Sequence, residues 1–272
     1  MFDALVEKGF QVEFHSRSRA IIAGDFPDAA GELGSVLLAA TIPIEEIVAS
    51  GGGEAKGTQR LRRGLTDKGW TKQTFTVRRT INGREKKEAI THEIDHVKTW
   101  RSTDGLDSTI ALEIEWNNKD PFYDRDLENF KRLHADGAIS IGIIVTRGRS
   151  LHDSMRSMAG RFAEERQVRS FDDLERWGYT PTRRRKAAIE AQVSRSKPPP
   201  LTFQEAFACT FVADKFGEAT THWRKLEDRV RRGVGNPCPL VLIGLTRALV
   251  SFGEDPALVS ALVEEAALID DA

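Results

Sequence analysis

The sequence predicts an α/β fold in which a mixed central β-sheet is flanked by helices. Three observations carry this expectation. From Thr109 to Asn117 apolar and acidic residues alternate, from Ile139 to Thr146 the chain is almost continuously apolar, and between them Asp124 to Asp136 places Leu127 and Phe130 at helical spacing. Strand, helix and strand in that order make a crossover unit, the building block of a sheet with helices packed on it.

The elements follow in order along the chain. Asp28 to Ala40 carries helical periodicity after the turn-forming Asp25-Phe26-Pro27, and Ala55 to Lys68 reads as a second helix after the Gly51-Gly52-Gly53 break. At Thr74-Phe75-Thr76-Val77 the pattern becomes β-branched and aromatic. A turn signal at Ile81-Asn82-Gly83 and a further strand from Ala89 to Lys98 complete a hairpin. The polar stretch Thr99 to Ser108 is expected to connect this hairpin to the alternating strand. Beyond the crossover unit come helices over Leu151 to Glu165 and Thr182 to Gln192, then the stiff connector Lys197-Pro198-Pro199-Pro200. A helix from Thr220 to Arg231, a turn from Gly233 to Pro239, a strand from Leu240 to Leu245 and a closing acidic helix from Asp255 finish the chain. We expect one domain over 1–272, with a helical part at 1–70, a core at about 71–197 and a C-terminal part at about 201–272.

Composition narrows the function classes. With 40% hydrophobic and 30% charged residues over 272 positions, the chain can bury a full core, and no apolar run approaches the roughly 18 residues of a membrane span. The start, MFDALVEKGF, lacks the basic-then-apolar order of a secretory signal, so a cytoplasmic location is expected. Cys209 and Cys238 stand far apart outside any CxxC or Cys/His spacing, which predicts buried thiols and argues against zinc. Net charge is −1, yet Arg147 to Lys197 holds thirteen Lys and Arg against seven Asp and Glu, a local +6. Such asymmetry gives one basic face to a near-neutral body.

In Glu113-Ile114-Glu115-Trp116 the strand period of two assigns Leu112, Ile114 and Trp116 to the core face and both glutamates to the other. Two like charges side by side repel, and strand propensity disfavours Glu, so a divalent cation would relieve the arrangement; a solvated strand face is the plain alternative. Eighteen residues upstream, Asp95 stands in the strand-like His92-Glu93-Ile94-Asp95-His96-Val97-Lys98. A hairpin would bring it beside the glutamates, and three hard oxygen donors suit octahedral Mg²⁺. Asp104 and Asp107 compete with Asp95 if the strand begins later. Glu93 is a possible additional ligand or simply exposed. Lys119 would contact the scissile phosphate or pair with Asp120 or Asp124. His134 is expected to be a packing residue. Arg183, Arg184, Arg185 and Lys186 at a helix start, and His222 near another, are candidates for contact with DNA phosphates.

The block Glu113-Ile114-Glu115-Trp116-Asn117-Asn118-Lys119-Asp120, with Phe122, Asp124-Arg125-Asp126-Leu127 and the strand Ile139 to Arg147, resembles the BglII-like restriction endonucleases (the BglII, BamHI and BstYI type) of the PD-(D/E)xK nuclease superfamily. Phe14 to Ala20, Asp25-Phe26-Pro27, the triple glycine, Gly69-Trp70, Thr221-His222-Trp223 and Gly235 to Pro239 extend the resemblance over most of the chain. It implies a restriction-endonuclease-like core and type II cleavage of double-stranded DNA with Mg²⁺. Asp95 and Glu113 would be metal ligands and Glu115 the third catalytic residue, where the superfamily usually has Lys. It also implies a homodimer on a short palindromic site and a cognate DNA methyltransferase acting on the same site. The competing readings are a DNA-binding protein without cleavage and a repair nuclease of the same superfamily.

Overall fold

The computed structural model describes residues 2–50, 53–78, 80–81, 84–85, 90–101 and 107–253. In chain order the elements are α1 (Asp3–Glu7), β1 (Gln11–His15), α2 (Ser18–Asp25), α3 (Pro27–Ala39), β2 (Ile42–Pro43), α4 (Ile44–Val48), α5 (Lys56–Thr66), β3 (Thr71–Val77), β4 (Thr80–Ile81), β5 (Arg84–Glu85) and β6 (Ile90–Arg101). There follow β7 (Asp107–Glu115), α6 (Phe122–Ala135), β8 (Ile141–Arg147), α7 (Arg149–Glu165), α8 (Phe171–Arg176), α9 (Arg183–Ser194), α10 (Phe203–Lys215), α11 (Trp223–Arg231), β9 (Leu240–Leu245) and β10 (Val250–Ser251). These form two compact units, one of 1–39, 60–148 and 221–245, the other of 40–59, 149–220 and 246–272.

The first unit is built on a mixed six-stranded sheet in the order β1-β9-β8-β7-β6-β3. β7, β8 and β9 run parallel, and β1, β6 and β3 pair antiparallel to their neighbours. Helix α6 makes the crossover between β7 and β8, as the sequence pattern requires. It lays Leu127, Phe130 and Leu133 on Ala111, Ile144 and Leu242, while α11 adds Trp223, Leu226 and Val230 to the same layer. Ala111 and Gly142 are register partners on β7 and β8, and a side chain at Gly142 would overlap the Phe130 ring. Two small residues thus make the hollow that seats the aromatic ring. A second aromatic group, Phe26, Trp70 and Trp100, packs edge to face, with Trp70 Nε1 donating to Glu32 Oε2 at 3.1 Å and Lys98 Nζ donating to Glu32 Oε1 at 2.6 Å.

The edge strand β1 and the helix α2 were not expected from the sequence. β1 is short and half-buried throughout, so its alternation is weak. The ladder between β6 and β7 runs from His96↔Leu112 to Arg101↔Asp107, so the connection is 102–106 and not the whole of Thr99 to Ser108. The pairing of β3 with β6 slips once: Thr71 faces Val97, whereas Gln73 faces Ile94. β6 therefore takes three steps where β3 takes two, and Asp95 with His96 stands opposite Lys72 in a β-bulge. The bulge lets both Ile94 and Val97 turn into the α6 layer, which plain alternation forbids.

In the second unit α7, α9 and α10 pack together, and Tyr179, Phe207, Phe211 and Phe216 form a chain of aromatic contacts. Helices α8 and α10 each start with a capping box, Ser170/Asp173 and Thr202/Glu205, a signal readable from sequence. The segment 195–202, which contains Lys197-Pro198-Pro199-Pro200, joins α9 to α10. The closing helix expected from Asp255 lies outside the described residues, as do Asn82 and Gly83 of the expected turn. Among the described residues, no helix is long and apolar enough to cross a membrane. Cys238 is buried, with its thiol pushed up to about 12 by burial, whereas Cys209 is only partly covered.

Gly142→Ala is expected to lower unfolding stability by about 1–3 kcal/mol, the usual cost of overfilling a packed site. Gly31→Ala, on α3 with open space around its Cα, should leave stability equal or raise it by up to about 1 kcal/mol. Urea unfolding of the two variants checks the pair; equal destabilisation would show that Phe130 does not rest on Gly142.

Candidate active site

Strand β7 carries Glu113 and Glu115 into the first unit, two residues apart on the face that α6 covers. Each is only 3% exposed, so the solvated strand face that was the plain alternative is not what the structure has. The cover comes from the start of α6. Tyr123 and Thr146 share a 2.6 Å hydrogen bond between their hydroxyls, and Thr146 Oγ1 donates to the Glu115 carbonyl at 2.7 Å. Thr146 is the register partner of Glu115, so this chain of bonds fastens the first turn of α6 over the end of β7. Trp116, expected in the core beside Leu112 and Ile114, follows the strand's last residue and is half-buried. Its carbonyl accepts from the buried Arg147 at 2.8 Å.

The same turn delivers Arg125 and Asp126, which sequence reasoning quoted but gave no role. Asp126 is fully buried. Arg125 Nη2 lies 2.7 Å from Asp126 Oδ1 and 3.7 Å from Glu115 Oε1, and its guanidinium stacks over Phe122 with the cation 4.4 Å from the ring centre. Asn118 Nδ2 donates to Glu115 Oε2 at 2.8 Å. The carboxyls of Glu115 and Asp126 are within hydrogen-bonding reach of each other.

Electrostatics follow from this crowding. Burial, followed by the charges of Asp126, Asp95 and Glu115, pushes Glu113 well above the usual carboxylate range. Burial and then Asp126 raise Glu115 to about 8. Asp126 is also raised, burial outweighing the opposing pull of Arg125. Three carboxyls in one covered spot thus bind protons more tightly than they would in water.

Asp95 lies one step beyond the last β6–β7 ladder pair, His96↔Leu112, on the side toward Glu113. It is more than half exposed, as is Glu93, and Lys72 Nζ bridges them at 2.6 Å from Glu93 Oε1 and 3.8 Å from Asp95 Oδ1. Lys72 is another residue that sequence reasoning missed. Its hydrogen bond to Glu93 raises its pKa, with the charges of Glu93, Asp95 and Glu113 adding to it. Beneath the bulge, His96 is buried with its pKa lowered by desolvation, and its Nδ1 donates to the Leu112 carbonyl at 3.3 Å. Asp107 pairs with Arg101 at the far end of the ladder, six residues from Glu113, about 20 Å along the strand. Asp104 lies outside the described residues.

The remaining candidates separate. Lys119 is exposed, and its expected partners Asp120 and Asp124 pair instead with Arg229, at 3.2 and 2.9 Å. His134 receives its expected packing role, with Nδ1 3.1 Å from the Ile139 carbonyl. His222 is buried at the start of α11 and presents no surface for DNA phosphates. On the first turn of α9 in the second unit, Arg183 and Arg184 are exposed, Arg185 pairs with Asp214, and Lys186 lies 3.1 Å from Glu175.

Residues 10–245 match the model of one protein family, described as restriction endonuclease BglII/BglIII. No curated protein matches the chain. The matched region runs from just before β1 to the last residue of β9 and so includes the whole six-stranded sheet and every acid described above. The chain therefore belongs to the BglII/BglIII restriction endonuclease family, with that family's α/β architecture and its hydrolytic action on DNA.

Proposed function

We propose that this protein is a Mg²⁺-dependent type II endonuclease that cuts a short palindromic site in double-stranded DNA as a homodimer. It would act in the cytoplasm within a restriction-modification system whose methyltransferase protects the same site. The observation that carries the chemistry is the convergence of Glu113, Glu115 and Asp126 in one covered spot, with Asp95 at its edge. Buried carboxylates without enough cation are costly, and Arg125 alone does not balance them. Their donors are all hard oxygens, and Asp126 Oδ2 is buried without a hydrogen-bond donor, so the residues present fit Mg²⁺ better than a softer metal. Asp95 and Glu113 would hold the ion, with Glu93 in reserve. When bound, it supplies Lewis-acid activation of the scissile phosphate and offsets the charge that builds on it.

The chain's own groups do the rest. In its deprotonated form Glu115 takes the proton from the attacking water, whose oxygen bonds to phosphorus as the P–O3′ bond breaks, and the departing 3′ oxygen takes a proton from solvent. Asn118 holds Glu115 Oε2, leaving the other oxygen to accept that proton. Lys72, beside Glu93 and Asp95, brings positive charge to the edge where an anionic substrate must approach. Lys119 and the exposed Arg183 and Arg184 of α9 are the further groups we assign to phosphate contact, with Arg185 and Lys186 secondary because acids already engage them. Two copies related by a twofold axis match the two halves of a palindrome, each copy cutting one strand.

Plasmid digestion tests this reading. Cleavage into discrete fragments should appear with Mg²⁺ or Mn²⁺, vanish in EDTA, and fail in Ca²⁺ although DNA binding persists; undiminished cutting in EDTA would refute it. Glu113→Gln should lower turnover by at least about a thousandfold, within the range that loss of a catalytic group produces. Because glutamine needs no proton to be buried neutral, whereas Glu113 must bind one on folding, the same variant should melt at a higher temperature than the parent in metal-free buffer at pH 8. The pH dependence has a definite sign. Glu115 is raised from 4.5 to about 8, so the folded state holds its proton where the unfolded state has lost it. Metal-free stability should accordingly fall as pH rises between about 4.5 and 8, and Mg²⁺ should flatten that fall; a melting temperature that climbs through this window would contradict the burial of the acids.

A further inference from the structure

Asp126 enters the site from helix α6, whereas Asp95, Glu113 and Glu115 belong to the sheet. It is fully buried. Its two oxygens have different surroundings. Oδ1 accepts from Arg125 Nε at 2.8 Å and lies 2.7 Å from Arg125 Nη2, while Oδ2 is buried with no hydrogen-bond donor. A carboxylate in such a place loses its water and regains one ion pair and a contact with the Glu115 carboxyl, an expense that packing alone does not call for. Tyr123, Leu127 and Phe130 on the same helix face are apolar, and an apolar residue at 126 would fill the position at less cost.

Arg125 explains the need. Its side chain is 54% exposed and reaches from solvent toward two acids, yet it binds Asp126 closely and stops 3.7 Å short of Glu115 Oε1. Were Asp126 absent, the guanidinium would have one acid left in reach, and an Arg–carboxylate pair at that position would tie up the oxygen of Glu115 that Asn118 leaves open. We infer that Asp126 is a positioning residue of the nuclease site: it anchors Arg125 away from Glu115 and, with Asn118, holds the Glu115 carboxyl in the orientation that accepts a proton from water. The inference rests on the reading of Glu115 as the base. It adds a helix-borne acid to a set of acids otherwise drawn from strands, and it joins the start of α6 to the chemistry.

The test is steady-state cleavage of a supercoiled plasmid that the parental enzyme cuts, with kcat and KM measured separately for four variants. Asp126→Asn, nearly identical in shape, should lower kcat about a hundredfold or more and change KM less than about threefold. Adding Arg125→Met to Asp126→Asn should recover at least about tenfold in kcat, because the released guanidinium is gone; a merely structural role for Asp126 predicts no recovery. Arg125→Met alone, a change at a side chain 54% exposed, should lower kcat about tenfold by freeing Asp126, and it keeps the test decisive if Asp126→Asn does not fold. Parental kcat in Asp126→Asn, or in Arg125→Met when the former is unfolded, overturns the inference, as does a double variant no faster than Asp126→Asn. Glu115→Gln separates the two levels of argument: if it retains parental kcat, the reading of Glu115 as the base fails; if it is inactive while Asp126→Asn is not, only the role of Asp126 fails.

Discussion

Glu113 and Glu115 project from β7 into a face roofed by α6, and the organisation of the first unit around them follows from holding that roof in place. Tyr123 bonds Thr146, Thr146 bonds the Glu115 carbonyl, and Phe130 settles over Ala111 and Gly142. Each contact lies on the crossover between the parallel strands β7 and β8. The helix that completes the hydrophobic layer therefore also dehydrates the acids. Burial and mutual repulsion then make these carboxyls hold protons more tightly than they would in water.

The edge of the site has the opposite character. Asp95 and Glu93 stay exposed on β6 with Lys72 between them, and the bulge at Asp95-His96 breaks the regular pleat where the β6–β7 ladder ends. Bulges re-aim side chains, and this one sits at the acid that the family resemblance makes the first metal ligand. A covered pair of acids on one strand and an open, charged rim on the next are what the proposed reaction, with a substrate approaching from solvent, would use. On that view the bulge and the α6 roof are complementary devices.

Much of this was legible in the residues. The alternation from Thr109 to Asn117, the apolar run of β8 and the helix between them gave the crossover, and β9 was read to the residue. The parity of Glu113 and Glu115 was also readable, but their burial was not, since alternation says which side chains share a face and nothing about what covers it. The register slip opposite Lys72 depends on pairing between distant segments and leaves no local mark. Asp126 did leave one. It stands three residues after Tyr123 and four before Phe130, so helical geometry sets a lone acid in an apolar stripe, the kind of exception that points to function. β1 escaped notice because five half-buried residues at a sheet edge alternate too weakly to stand out.

The central proposal is that the buried acids give up protons when a cation binds beside them, and proton release on metal binding measures it directly. Calorimetric titration of the protein with Mn²⁺ at pH 6.5, in two buffers of different ionisation enthalpy, reports the number of protons exchanged. The account predicts binding with net proton release in the parent, and less release in Glu115→Gln, whose amide has no proton to give up. Binding with identical heats in both buffers, or no binding by the parent protein, would contradict it.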